Sequence, residues 1–273
     1  MSVESTVFGE LGEDADGILL FSPNQSKYDS IREHYQQTDI PVIVVDDEDH
    51  VDADCFVKLP LDFKNLRESI QFGVEAAMDQ DHLDEGDVVI CGTNLFSDVM
   101  DTVTRVRARE DIHTGLHDLF MNSRADPNVI RDVFNVAIDL GKKGQKGKPI
   151  GALFAVGDAG TVMNKSRPLS YNPFEKSHVH VGDKIVNIML KEFSKLDGAF
   201  IISDSGKIVS AYRYLEPTAD GVDIPKGLGA RHMAGAGITQ STNATAIVLS
   251  ESDGMVRGFK NGELIVEFDP EDY

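Results

Sequence analysis

The feature that most constrains this chain is a recurrence in its first half: short apolar runs alternate with longer amphipathic stretches. Gly17–Phe21 (GILLF), Pro41–Val45 (PVIVV), Cys55–Leu59 (CFVKL) and Val88–Cys91 (VVIC) are β-branched or aromatic and bounded by polar or turn residues. Such runs read as strands buried on both faces, the pattern of a parallel sheet. Between them, Tyr28–Gln37 follows a Ser-Pro-Asn turn, and Phe63–Met78 sets Leu66, Ile70, Phe72, Val74 and Ala77 on one stripe. Both read as helices, and Phe96–Arg109, after Gly92-Thr93-Asn94, reads as a third. Strands alternating with helices argue for a small doubly wound α/β domain. A strand VVICG running into a helix would put backbone amides where an anion could sit. The turn has neither glycine-rich phosphate fingerprint, so a structural turn is the simpler reading.

The second half changes character. Residues 111–148 look helical, with Leu116, Leu119, Phe120, Val129, Val133, Phe134, Ala137, Ile138 and Leu140 apolar, and end in a Gly/Lys loop at Gly141–Lys148. Ile150–Val156 is an expected strand, followed by a Gly157-Asp158 turn and a helix within Ser177–Lys195. Gly198–Ile202 and Ile208–Tyr212 read as a hairpin around the polar loop Ser203–Lys207. A small-residue helix runs from about Arg231 to Asn243, and strands are expected at Thr245–Leu249, Met255–Phe259 and Glu263–Phe268. The fold class expected is therefore α/β in two domains. Residues 1–110 form a small parallel-sheet domain, regulatory or oligomerising in role, and residues 111–273 a mixed sheet flanked by helices. In pattern, the first domain resembles the C-terminal domain of pyruvate kinase.

Charge narrows the function classes. The 273 residues carry 26 Lys and Arg against 46 Asp and Glu, a net charge of −20. A chain this acidic is not built to bind nucleic acid or an anionic membrane surface, because both rest on Lys and Arg. The excess is uneven. Residues 1–110 hold 25 acidic and 8 basic side chains, net −17, whereas residues 111–273 hold 21 and 18, net −3. Asp outnumbers Glu 30 to 16, which suits a protein kept soluble at high salt, where self-repulsion is screened. No run of 18 apolar residues exists, and the first residues lack a basic-then-apolar leader, so a soluble cytoplasmic protein is expected. Cys55 and Cys91 lie in strand-like runs and read as buried free thiols.

Three clusters in the second half carry chemistry. Asp197-Gly198-Ala199 puts an acid at a helix-to-strand junction, beside residues that permit close backbone approach. Its carboxylate suits Mg²⁺ or Mn²⁺, and reads equally as a turn residue. Gly227–Ala236 (GLGARHMAGA) leads glycines into a helix whose first turn carries Arg231 and His232. Amides at a helix start, a guanidinium and an imidazole together suit a phosphate, while the small residues suit close packing. Ser250-Glu251-Ser252 follows a buried-type strand, where open α/β sheets place ligands, or else forms a surface turn.

The order of these clusters, together with Gly151–Asp158 (GALFAVGD) and Asn172-Pro173-Phe174, resembles the diadenylate cyclase family over about residues 115–270. In that family a DGA motif precedes an RHR motif, and an S-E turn follows. Asp197-Gly198-Ala199 matches DGA in full. Arg231-His232-Met233 matches only the first two residues of RHR, and Ala230 stands where Thr is frequent. The resemblance is strongest to archaeal members, which pair this domain with an N-terminal α/β domain.

It implies that two ATP condense to cyclic di-AMP with release of two pyrophosphates, across a face-to-face pair of catalytic domains, so at least a dimer. It implies further that Asp197 binds Mn²⁺ or Mg²⁺, with His232 as a second ligand, and helps to activate the 3′-hydroxyl. Gly198 and Ala199 would lie against the nucleotide. Arg231 and His232, with the Gly229 and Ala230 backbone, would hold phosphates. Ser250 and Glu251 would contact ATP, and Leu215, in the loop after the hairpin, would pack on adenine. Lys226 or Arg213 would substitute for the cation missing at Met233. The degenerate RHR also fits a non-catalytic ATP or cyclic di-AMP sensor on the same fold.

Overall fold

A computed structural model describes residues 14–60, 63, 65–97, 100–108, 115–143, 150–193, 197–216, 222, 224–225 and 227–272. The readings at the N-terminus up to residue 13, in most of the Gly/Lys loop and at Lys226 lie outside these residues. The chain divides into two compact units, Met1–His117 and Asp118–Tyr273.

In the first unit, β1 (Gly17–Phe21), β2 (Val42–Asp46), β3 (Cys55–Lys58) and β4 (Val88–Thr93) are parallel and lie in the order β3-β2-β1-β4. Helix α1 (Gln25–Tyr35) starts at Asn24, whose side chain accepts from the Lys27 amide. Helix α2 (Leu66–Asp79) starts likewise at Asn65. These caps satisfy backbone donors that a helix start leaves open. The α1 face of the sheet buries Ile18, Leu20, Val44 and Ile90 against Tyr28, Ile31 and Tyr35. Cys91 is fully buried, which pushes its thiol up to about 12, whereas Cys55 is half-exposed and departs from the buried thiol expected.

Among the described residues of Phe96–Arg109, the expected third helix does not form. Thr102–Arg107 is instead β5, an edge strand antiparallel to β4. Its sequence TVTRVR is rich in β-branched residues, which favours a pleated edge once a partner strand is present. Gly92 and Thr93 belong to β4. Asp101 then takes the amides at the turn: both Leu95 and Phe96 N–H donate to its carboxylate at 2.9 Å. The anion site considered at Gly92–Asn94 is thus no helix start.

The long helical segment breaks into α3 (Leu116–Met121), within which the boundary between the units falls, and α4 (Pro127–Lys143) in the second unit. Asp126 ends the break, accepting from the Asn128 amide at 2.8 Å, and Pro127 supplies a preset first helical position. Strands β6 (Ala152–Val156), β7 (Ser166–Pro168), β8 (Ala199–Ile202), β9 (Ile208–Leu215), β10 (Thr245–Leu249), β11 (Val256–Lys260) and β12 (Glu263–Phe268) form one mixed sheet. Its order is β12-β11-β10-β6-β8-β9-β7, with only β6 and β8 parallel. Three further helices are α5 (Ala159–Asn164), α6 (Lys184–Phe193) and α7 (Ala230–Ser241).

Helix α7 packs close to the sheet because its inner residues are small. A Cβ on Gly235 would lie 3.1 Å from Val248 Cγ2 and 3.4 Å from Ala246 Cβ. Ala236 and Ile238 complete a core with Leu153, Ala155, Ile201 and Phe259. That tight seat fixes where the start of α7 points.

Candidate active site

The three sequence clusters, separated by tens of residues along the chain, line one cavity of about 940 Å³. Asp197, Gly198, Ala199, Leu215, Gly229, Ala230, Arg231, His232, Ser250 and Glu251 all contribute to its wall. The volume lies toward the upper end for small-molecule sites.

Asp197 stands at the entrance to β8, and two backbone torsions place it there. Gly198 has φ +114°, and a Cβ at that position would come within 2.8 Å of the Tyr212 backbone. Tyr212 on the facing strand is itself left-handed, at φ +57°, where the β8–β9 register slips. A non-glycine residue in this region is strained, and such strain gathers at functional sites. The Asp197 side chain is 95% exposed.

Arg231 spans two carboxylates. Its Nη1 lies 3.0 Å from Glu251 Oε2, and its Nη2 lies 3.6 Å from Asp197 Oδ1. It thereby joins the first turn of α7 to the other two clusters. Gly229 precedes α7 and brings no side chain to cap it, so the first amides of α7, at residues that line the cavity, meet no acceptor from a cap side chain. Backbone donors at the positive end of a helix are suited to phosphate oxygens.

His232 is 4% exposed and faces Arg257 of β11: the guanidinium Nη1 is 3.3 Å from Nε2. A guanidinium only donates, so Nε2 accepts and the ring proton sits on Nδ1. Burial, reinforced by the Arg257 charge, holds the His232 pKa below its ordinary value, which favours the neutral ring. With Nε2 turned to Arg257 and the proton on Nδ1, a ring in this state offers a metal no free lone pair unless it gives up the Arg257 contact. The buried Nδ1 has no hydrogen-bond partner of good geometry. The Gly229 carbonyl lies beside the ring and acts against burial on its protonation.

Among the described residues no group of three His, Cys, Asp or Glu side chains is placed to hold a metal alone. An exposed carboxylate such as Asp197 still fits Mg²⁺ or Mn²⁺, which keep waters and take substrate phosphates as further ligands.

Other expectations change in detail. Leu215 is not in a loop but ends β9, and is 4% exposed. Ser250 is 2% exposed, and its hydroxyl lies 3.1 Å from that of Ser252. Arg213, considered as the missing cation, lines the cavity, yet its guanidinium donates to the carbonyls of Met163 and Ser166 and to the Ser166 hydroxyl. Gly157 and Asp158 lie away from the cavity wall and shape the chain into α5. Asp158 adopts φ +45°, and its carboxylate accepts from the Asn243 amide and the Thr161 hydroxyl. Asn172 pins its loop to β9 through Val209 and Ala211.

Comparison with known proteins decides the family. The chain is 64% identical to the diadenylate cyclase of Haloferax volcanii over all 273 residues, the full length of both. The chain belongs to the diadenylate cyclase family. It is also 35% identical to the diadenylate cyclase of Methanocaldococcus jannaschii over 257 residues, 93% of this chain and 78% of that one. The family model described as "Diadenylate cyclase, N-terminal" matches residues 1–128, and that described as "DisA bacterial checkpoint controller nucleotide-binding" matches residues 140–264. Among solved structures, DacA from Staphylococcus aureus aligns over 53% of this chain and 89% of its own, at 25% identity and a TM-score of 0.36.

For a member of the diadenylate cyclase family, the residues that sequence reasoning missed are instructive. Leu153, Leu169, Tyr214 and Leu249 supply the apolar part of the wall. Leu169 and Tyr214 are 47% and 40% exposed, and Arg167 sits 4.7 Å above the Tyr214 ring. The alternation of IVSAYRYL carried a signal for Tyr214, an aromatic on the outward face of a strand. The buried Arg257 and its partners Asp253 and Glu267 carried none.

Proposed function

We propose that this chain condenses two molecules of ATP into cyclic di-AMP and releases two pyrophosphates, with the cavity between β8, β9, α7 and the end of β10 as its site. The observation that carries this reading is the convergence of Asp197-Gly198-Ala199, the start of α7 and Ser250-Glu251 on that cavity, in a chain of this family. The buried apolar surface of Leu215, with Leu153, Leu249 and Tyr214, suits the adenine ring. The Ala230 and Arg231 amides, the Arg231 guanidinium and the His232 Nδ1–H are donors for the phosphates. Phosphoryl transfer asks mainly for positioning and charge neutralisation, and these residues supply both.

Asp197 would hold the divalent cation, Mn²⁺ or Mg²⁺, which when bound neutralises phosphate charge. Each cavity takes one ATP, and each 3′-hydroxyl attacks the α-phosphate of the other ATP. Two copies must therefore face one another, and the functional unit is at least a dimer. On ATP binding, Arg231 gains phosphate oxygens as competitors to Glu251 and Asp197.

The deciding experiment incubates the purified chain with ATP and either metal and detects the product by mass. Cyclic di-AMP is expected from the wild type and not from Asp197→Ala. ATP binding by calorimetry without any product under either metal would refute catalysis and favour a sensor.

A further inference from the structure

The second unit buries one guanidinium beside the cavity. Arg257 is 5% exposed. Its Nε pairs with Glu267 of β12. Nη1 and Nη2 fork onto the two Asp253 oxygens at 3.2 and 2.8 Å, and Nη1 also reaches His232 Nε2 at 3.3 Å. Asp253 lies in the turn after β10, and its carboxylate is held well below the usual range, first by Arg257 and then, against burial, by the Ser250 hydroxyl.

We propose that Arg257 is a positioning residue for the reaction, clamping His232 on α7 and the Ser250–Asp253 turn into one rigid wall and fixing the His232 proton on Nδ1. The inference rests on the diadenylate cyclase reading of the cavity. With the guanidinium tied to two carboxylates and the imidazole, Arg257 is not available to swing onto substrate. It acts through its neighbours. The cation that the resemblance places next after His232 is replaced here by Met233, which is 48% exposed. A cation instead stands behind the histidine, on β11.

The physical need is clear from chemistry. A free neutral imidazole can carry its proton on either nitrogen, and only the Nδ1–H form offers a donor at the nitrogen turned from Arg257. A planar fork holds Asp253 and His232 in fixed relative directions, which an ammonium cannot reproduce. Sites need their binding groups held to about half an ångström, and that is the service of such supporting contacts.

Two measurements on the full chain test this. The first is ¹⁵N NMR of histidine-labelled protein, with the His232 signal assigned by its loss in His232→Gln. A neutral ring protonated on Nδ1 is expected in the wild type, shifting toward the Nε2–H form in Arg257→Gln. An Nε2–H ring in the wild type overturns the proposal whether or not any variant folds. The second is ATP-dependent kinetics of Arg257→Gln, Arg257→Lys and Asp253→Asn. Arg257→Gln is expected to raise KM for ATP or lower kcat about tenfold or more, with Arg257→Lys only partly restoring it and Asp253→Asn intermediate. Wild-type kcat and KM in a folded Arg257→Gln protein overturn the proposal, as does a loss that only tracks the folded fraction at unchanged KM. A wild type that makes no cyclic di-AMP fails the functional reading instead, and the NMR result still decides the role of Arg257.

Discussion

Gly151, just before β6, is where one added methyl group would reach the site rather than the core. A Cβ there would lie 2.7 Å from Arg231 Nη1, 3.1 Å from its Cζ and 3.2 Å from Glu251 Cβ. Ordinary contact begins near 3.4 Å, so in Gly151→Ala the guanidinium must retreat by ~0.7 Å (3.4 less 2.7). Gly151 is not left-handed, so alanine suits its backbone. The Arg231 and Glu251 side chains are 29% and 62% exposed and have room to yield. An ion pair so exposed contributes roughly 0–1 kcal/mol, and replacing glycine returns about 0.4–1 kcal/mol through the unfolded chain. Net stability should therefore change by no more than about 1 kcal/mol, or roughly 2–4 °C in Tm for a domain of this size. Catalysis is less forgiving, because misplacement by about 1 Å costs on the order of 100-fold. The expected result is a 10- to 100-fold fall in kcat/KM for ATP at nearly unchanged Tm, read by product chromatography and calorimetry. A kcat/KM within about twofold of wild type would refute the placement of Arg231 at the phosphates. A Tm drop well beyond that range would refute the claim that only side chains yield.

Two further outcomes follow from local geometry. Gly198→Ala forces a Cβ to 2.8 Å from the Tyr212 backbone at φ +114°, costing about 1–3 kcal/mol in torsion and a similar amount in overpacking. Urea unfolding should show a loss of at least about 2 kcal/mol together with lost activity, and wild-type stability would exclude the close β8–β9 approach. In the first unit, the Leu95 amide, followed by the Phe96 amide and the Thr102 and Ser97 hydroxyls, lowers Asp101 to about 2. An unfolded Asp titrates near ~3.9, so the stability this carboxylate contributes is fully present above that value and is lost as pH falls toward 2. Wild type should exceed Asp101→Asn in Tm at pH 6, and the gap should close near pH 2; an equal gap at both would count against the Asp101 turn.

Much of the molecule was legible before any coordinates. Runs such as GILLF and PVIVV state a buried strand outright, because only a doubly covered sheet asks for continuous apolar residues. The glycines and small residues of GLGARHMAGA announced a helix seated tightly on a sheet, and Val248 lies against Gly235 as that requires. Thr102–Arg107 was misread because a largely polar stretch with no period-two pattern becomes a strand only when β4 offers its edge. The break at Asn122–Asp126 had a signal that was passed over, since the apolar positions that mark the helix jump from Phe120 to Val129 across a polar run that ends in Asp126-Pro127.

The sequence by itself determined the type of most elements, β5 excepted, the partition of charge between the two halves, and which residue types would gather if the three clusters met. Tertiary structure alone decided that they do meet, and what each then is. Only the fold turns Arg257 inward onto His232. Only the fold brings Tyr212 against Gly198 and sets Arg231 between Glu251 and Asp197. The reason is physical: periodicity is a local property of the backbone, whereas protonation, ion pairing and strain depend on groups brought near through space from distant parts of the chain.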